Sequence, residues 1–271
     1  MPAGDSDEAI WNAFLHEIEW LYGQMNRPLR AVFTPVFVLF ELKTIVLCLR
    51  SCAAQQRAEI DRLLRHSLLA GRLQAALRQE AEVRGGVAAM AEAFGPLMGD
   101  VRTLEDAYAG GGIRGFETRL VHGYLGSLAA ARLHPAIAAF FVAFIDLRNL
   151  MTLYKHLRWG IDDPAAFIAG GSLERPRLRQ ASASQDPASL DALVRGVAGR
   201  AAPPLAASEG ALETVLLGSM ALNLHKSAAE GEPPALILDY AWRVYVHARN
   251  LAVLLHAGGL EAGLLDRELI A

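Results

Sequence analysis

Cysteine is nearly missing from this sequence: Cys48 and Cys52 are the two among 271 residues. They stand four apart in a helical pattern with no second pair, so they suggest neither a disulfide framework nor a tetrahedral thiolate site. A charge excess is missing too. Lys and Arg number 26 against 29 Asp and Glu, a net charge of −3, which offers no global basic field to nucleic acid. Long apolar runs are also lacking. The longest stretch free of Asp, Glu, Lys and Arg runs from Leu133 to Ile145, 13 residues, where a membrane-spanning helix needs about 20. The opening Met1-Pro-Ala-Gly-Asp-Ser-Asp-Glu8 is acidic and has no basic-then-apolar order of a secretion signal. Together these absences read as a reduced, cytosolic chain without a transmembrane segment.

Signatures of catalysis are equally sparse. There is no GxSxG elbow and no P-loop. Gly110-Gly-Gly112-Ile-Arg-Gly115 matches GxGxxG in letters, but the charged, helical Leu104-Glu-Asp-Ala-Tyr precedes it where a dinucleotide site needs a strand. It reads as a flexible linker. His16-Glu17 lacks the second histidine of a zinc helix, and His247 and His256 fall on different helix faces. Asp162-Asp163 runs straight into Pro164, which marks a helix N-terminus rather than a metal cluster. The expectation is a protein without cofactor, without metal and without an active site.

What the sequence does have is apolar content, 53% of it, much of that alanine. Apolar residues recur at a period near 3.6, as in Ile10-Phe14-Ile18-Leu21 and Leu216-Met220-Leu224. The β-branched run from Ala31 to Val38 is broken by Pro35 and flows into a helical pattern. The fold class is all-α, with roughly ten helices. Breakers at Gly85-Gly86, Gly110 to Gly112, Gly170-Gly171, Pro203-Pro204 and Pro233-Pro234 separate them, and the polar stretch Arg175 to Gln185 reads as an exposed loop.

Three of the helices fit one template: Phe40 to Arg50, Ile145 to Lys155 and Val246 to His256. Aligning Thr44, Asn149 and Asn250 gives spacings of 105 and 101 residues. An apolar face at i, i+4, i+7, i+8 and i+11 then runs through Val38, Leu42, Ile45, Val46 and Leu49 in the first copy. The second copy has Ala143, Leu147, Leu150, Met151 and Tyr154; the third has Val244, Ala248, Leu251, Ala252 and Leu255. Leu42, Ile45, Leu147, Asn149, Leu150, Asn250 and Leu251 are the expected packing anchors. Beside the stripe stands a base in every copy (Lys43, Arg148, Arg249), with Arg50, Lys155 and His256 seven residues on. Lys and Arg often flank an apolar stripe with their heads in water; recurrence in all three copies makes Lys43, Arg148 and Arg249 candidates for a partner-facing charge. Each template helix is entered from an earlier one through Pro28, Pro135 or Pro233-Pro234. The expected organisation is three helical repeats, 1–105, 106–208 and 209–271, which bury their faces against one another in one pseudo-symmetric body.

At these residues the chain resembles the C/d family of subunits found in the V/A-type (vacuolar/archaeal-type) rotary ATPases. The likeness rests on the recurring E/D-Leu-Lys/Arg-Thr/Asn-Leu; on Phe141-Val-Ala-Phe-Ile-Asp146-Leu-Arg-Asn149-Leu with Arg158 beyond; on Phe167-Ile-Ala-Gly170-Gly171-Ser-Leu173; and on Ala248-Arg-Asn250-Leu with Gly259-Leu260 and Leu265 to Leu269. Thr44 stands where Asn is common in the family, and Tyr245 and His247 where glutamates are. The resemblance implies a helical funnel that is a non-catalytic part of the rotor, seated peripherally on the cytoplasmic face of the membrane. Its implied partners are the proteolipid rotor ring and the central-stalk subunits, through which ion transport is coupled to ATP synthesis or hydrolysis. Two other readings stay open on the residues alone. One is a helical-repeat scaffold that binds a peptide or protein in a groove. The other is an all-α enzyme with a closed cavity.

Overall fold

The computed structural model describes residues 7–79, 83–98, 102–256 and 268–270, and among these it contains α-helices, one 3-10 turn and no strand. The chain divides into two compact units, Asn12–Ala131 and Met1–Trp11 with Arg132–Ala271.

Helix α1 (Asp7–Gln24) contributes its first residues to the second unit and the rest to the first. Within Asn12–Ala131 follow α2 (Arg27–Ala53), α3 (Arg57–Leu63), α4 (Ala70–Gln79), α5 (Val83–Met98) and α6 (Arg102–Ala130). Helix α2 is the centre of this unit, packed by α3, α5 and α6. Asn26 starts it by accepting a hydrogen bond from the Leu29 amide (3.0 Å), with Pro28 preset for the first turn. Pro35 lies inside α2, and its carbonyl accepts the Tyr124 hydroxyl at 2.7 Å. Phe33, Val36, Phe37 and Val38 are fully buried there, so tertiary packing carries the helix through the proline.

The second unit holds α7 (Pro135–Trp159), a 3-10 turn (Pro164–Ala166), α8 (Arg175–Ser184), α9 (Pro187–Ala198), α10 (Glu209–Ala229) and α11 (Pro233–His256). Helix α7 is packed by α8, α9, α10 and α11. It opens on Pro135 and closes on Gly160, whose left-handed φ of 63° suits the C-terminal cap. A cluster of Phe140, Phe141 and Trp242 ties α7 to α11, with Phe140 and Trp242 edge-to-face at 5.6 Å.

Three local expectations are corrected. Residues 175–184 are a helix, not a loop: Leu178, Ala181 and Ser182 form a narrow buried stripe whose polar surroundings mask it in the sequence. Gly85-Gly86 lies inside α5, where a Cβ at Gly86 would stand 3.1 Å from the Cys52 sulfur, so close packing wins over local breaking. The Gly110–Gly112 run is no linker either. It does break the helix as expected: two helical stretches, together α6, meet at a kink on Gly112, whose non-helical φ of 60° and ψ of −151° only glycine adopts readily. No strand precedes it among the described residues, so the dinucleotide motif has no structural counterpart.

Two helices, α2 and α7, are long and apolar enough to cross a membrane, with 67% and 56% of their most apolar stretches buried inside the protein. Counting uninterrupted runs misses them because the runs end at Glu41 and Asp146. Both carboxylates are buried, 1% and 2% exposed, and both are hydrogen-bonded.

Candidate functional site

Those two carboxylates tie α2 and α7 to the segments that follow them. Glu41 of α2 accepts from the Ser67 hydroxyl and from the Leu68 amide at 2.8 Å. Asp146 of α7 accepts from the Ser172 hydroxyl and amide and from the Leu173 amide at 3.0 Å. Glu41 and Asp146 are 105 residues apart, as are Ser67 and Ser172. The same 105-residue spacing thus relates both the carboxylates and the serines they hold.

Three residues further along sit the template's polar positions. Asn149 is fully buried and grips one residue at both polar atoms: its Nδ2 donates to the Ile168 carbonyl at 2.9 Å, and its Oδ1 accepts from the Ile168 amide at 2.8 Å. Asn250 does the same to Ile270, donating at 2.8 Å and accepting at 3.1 Å. Asparagine suits this task because its amide presents a donor and an acceptor side by side, as a strand neighbour would. Thr44, buried in α2, has no such pair of groups.

Burial raises Glu41 from 4.5 to about 7 against the opposing pull of its Ser67, Leu68 and Leu69 hydrogen bonds, with a smaller push from the Glu19 carboxylate. Gly171 sits against Asp146: a Cβ there would lie 2.2 Å from Oδ1 and 3.1 Å from the Ile145 Cγ2. Gly171→Ala is therefore expected to cost about 1–3 kcal/mol through overpacking. Gly126→Ala, in open space on α6, should be neutral or slightly stabilising. Urea midpoints of the two variants check this pair, and equal midpoints would contradict it.

The flanking bases divide. Lys43 and Arg148 are exposed on α2 and α7. Arg249 is buried; it donates to the Glu268 carbonyl, pairs with Glu213 at 3.1 Å and reaches the Thr214 hydroxyl at 3.4 Å. Arg249 is thus an internal cation rather than a surface one, a departure from its expected place beside Lys43 and Arg148. Arg148 and Arg249 act on one phenol, Tyr245. Burial, then the Glu213 carboxylate, raises that phenol to about 12, while the two guanidiniums pull the other way.

Leu42, Ile45, Leu147 and Leu150 are buried, whereas Leu251 is 39% exposed. Phe167, Ile168, Leu173 and Leu178 are buried in the chain that follows α7, and Ile270, held by Asn250 of α11, is buried too. The Gly259-Leu260 and Leu265 positions of the resemblance lie outside the described residues.

The second set of bases is paired. Arg50 meets Glu117 of α6 at 3.2 Å, Lys155 meets Glu209 of α10 at 2.8 Å, and His256 approaches Asp7 of α1 at 3.7 Å. Tyr154 and Arg158 hold the coil before α10: the phenol donates to the Ala207 carbonyl at 2.5 Å, and the Arg158 Nη1 donates to the same carbonyl at 2.9 Å. Sequence reasoning missed the Glu41 and Asp146 grips and the acidic partners of the bases. Carrying the 105-residue period forward from Glu41 and Asp146 to Ser67 and Ser172 would have exposed the former.

A cleft of about 770 Å³ lies between α10 and α11, lined by Ala207, Ser208, Glu213, Arg249, His256 and Glu268 among others. Its Ser208 hydroxyl is used twice, donating to Glu268 and accepting from the Ala211 amide to cap α10. Arg249 is matched by Glu213. These groups satisfy one another and are arranged as a brace. One set of side chains among the described residues brings metal-ligating atoms together, His16, Glu19 and His66. No curated protein matches the chain. The family described as ATP synthase (C/AC39) subunit matches residues 1–258, nearly the whole length, and it is to this family of V/A-type ATPase subunits that the chain belongs.

Proposed function

We propose that this protein is a non-catalytic adaptor of the central rotor in a V/A-type ATPase or ATP synthase, joining the proteolipid ring to the central stalk. The observation that carries the reading is the family match over residues 1–258. A part that transmits torque needs rigidity and interfaces rather than a reactive group. The buried grips on α2 and α7 supply stiffness, since a satisfied polar pair in a packed core has one arrangement.

The ion pairs support the reading of three repeats. Arg50 of the first template helix reaches the helix that precedes the second; Lys155 of the second reaches the helix that precedes the third. His256 of the third returns to α1, which precedes the first. Such a head-to-tail order is what three pseudo-equivalent repeats, 1–105, 106–208 and 209–271, would give.

Lys43 and Arg148 are the candidates for partner contact, setting register and partner choice more than affinity. Trp159 and Ile161, 58% and 41% exposed on either side of the Gly160 cap, add an apolar tip at the end of α7. The place of action is the cytoplasmic face of the membrane, by peripheral attachment to the ring. The test is to purify the chain from its own cells under mild detergent. Ring and stalk subunits should accompany it, and its deletion should uncouple ATP hydrolysis from ion pumping. A chain that comes away alone, with pumping intact in the deletion, would overturn the adaptor reading.

A further inference from the structure

The fold gathers three ligand-bearing side chains that are scattered in sequence. His16 and Glu19 are one turn apart on α1, so they share a helix face. His66 arrives from the turn between α3 and α4. The His66 Nδ1 lies 2.7 Å from the Glu19 Oε2, and the His16 Nδ1 lies 3.9 Å from the same oxygen. The two imidazoles stand 4.8 Å apart, edge to face. One ligand atom from each residue falls within 4.8 Å of the others.

The framework behind these groups is firm. Helix α1 is fastened to α2 by the edge-to-face pair Phe14 and Phe40 at 5.3 Å and by the hydrogen bond between Tyr22 and Thr34 at 3.1 Å. On the other side, His66 immediately precedes Ser67 and Leu68, which Glu41 pins from the core. Ligands held on two braced segments lose little freedom on closing around an ion.

We propose that His16, Glu19 and His66 form a binding site for a divalent transition-metal ion of the zinc type, with a fourth position open to water. Two imidazoles and one carboxylate are a borderline-soft set that suits Zn²⁺ and disfavours Mg²⁺ or Ca²⁺, which prefer all-oxygen shells. Tetrahedral zinc holds such ligand atoms about 3.3 Å apart, given metal–ligand lengths of about 2.0–2.1 Å. The observed spacings therefore close by small side-chain rotations, chiefly of the solvent-exposed His16. Because the site joins α1 to the turn after α3, occupancy cross-links two segments of the Asn12–Ala131 unit and stabilises it by mass action.

The experiment titrates the tag-free full-length chain with ZnCl₂ by calorimetry, and with CoCl₂ by visible absorption. One ion per chain should bind in the micromolar range, the cobalt form should show the intense bands of low-coordinate geometry, and zinc should raise the melting temperature. Glu19→Gln, which keeps the side-chain shape, should weaken binding tenfold or more, and the His16→Ala/His66→Ala pair should abolish it together with the thermal shift. If the wild-type chain shows no saturable binding at sub-millimolar zinc, or if the double-histidine variant binds as tightly as wild type, the site does not exist. MgCl₂ serves as the comparison; equal affinity for magnesium would also overturn the proposal.

Discussion

Asn149→Ala is expected to destabilise the protein by about 3 kcal/mol, because it orphans a buried amide and a buried carbonyl at once. Asn149 is fully buried, and Ile168, whose backbone it satisfies, is 5% exposed. Water has little access to take over either bond, and the truncated side chain leaves a small cavity besides. Asn250→Ala removes the same two bonds from Ile270, but Asn250 is only half-buried, so solvent can replace part of what is lost. Its expected cost is nearer 1 kcal/mol. Chemical denaturation of the two variants beside wild type is the check. Equal losses would mean that burial does not set the strength of these grips.

Glu41→Gln should stabilise the protein by roughly 3 kcal/mol above pH 8 and change little below pH 4.5, a figure that follows from the gap between 4.5 and about 7. The sign is set by proton binding. Between those values the folded protein keeps a proton on Glu41 that the unfolded chain releases, so stability falls as pH rises through this window and stays lower above it. Glutamine is neutral throughout and keeps an oxygen to accept from the Leu68 amide, while its nitrogen faces the Ser67 hydroxyl, which turns from donating to accepting. His156 runs the other way: burial lowers it from 6.5, so it contributes stability that is lost as pH falls through that value. The two slopes oppose each other below pH 6.5, which is why the comparison must be variant against wild type at each pH. A difference between the two that stays constant from pH 4.5 to 8 would refute the assignment.

The helical periodicity of Leu216-Met220-Leu224 and the proline-led starts at Pro28, Pro135 and Pro233 were readable because helix faces and first turns are local matters. So was the likeness of Asn149 and Asn250, which make the same pair of backbone bonds. What the sequence could not disclose was which neighbour covers each face. Leu251 has the pattern of Leu150 yet stands 39% exposed, a difference that helical periodicity does not carry. Arg249 has the pattern of Arg148 yet is buried, because Glu213 on another helix receives it. Helix α8 escaped notice for the opposite reason, as its buried stripe is only Leu178, Ala181 and Ser182 among polar residues. The cluster of His16, Glu19 and His66 was invisible because its members come from two segments that meet only in space.

The grips on α2 and α7 also bear on the route by which the chain acquires its structure. Asn149 seizes a residue 19 positions on, and Glu41 and Asp146 each seize residues 26 and 27 positions on. Closing loops of that size is fast, and its entropic cost grows only slowly with length. Each long helix can therefore capture its own downstream segment before distant helices arrive, so much of the order is assembled from short-range encounters of the kind that make helical proteins fold quickly. A ribosome that has released the chain through Leu173 has already supplied both partners of the Asp146 grip, well before α11 exists to pack beside α7.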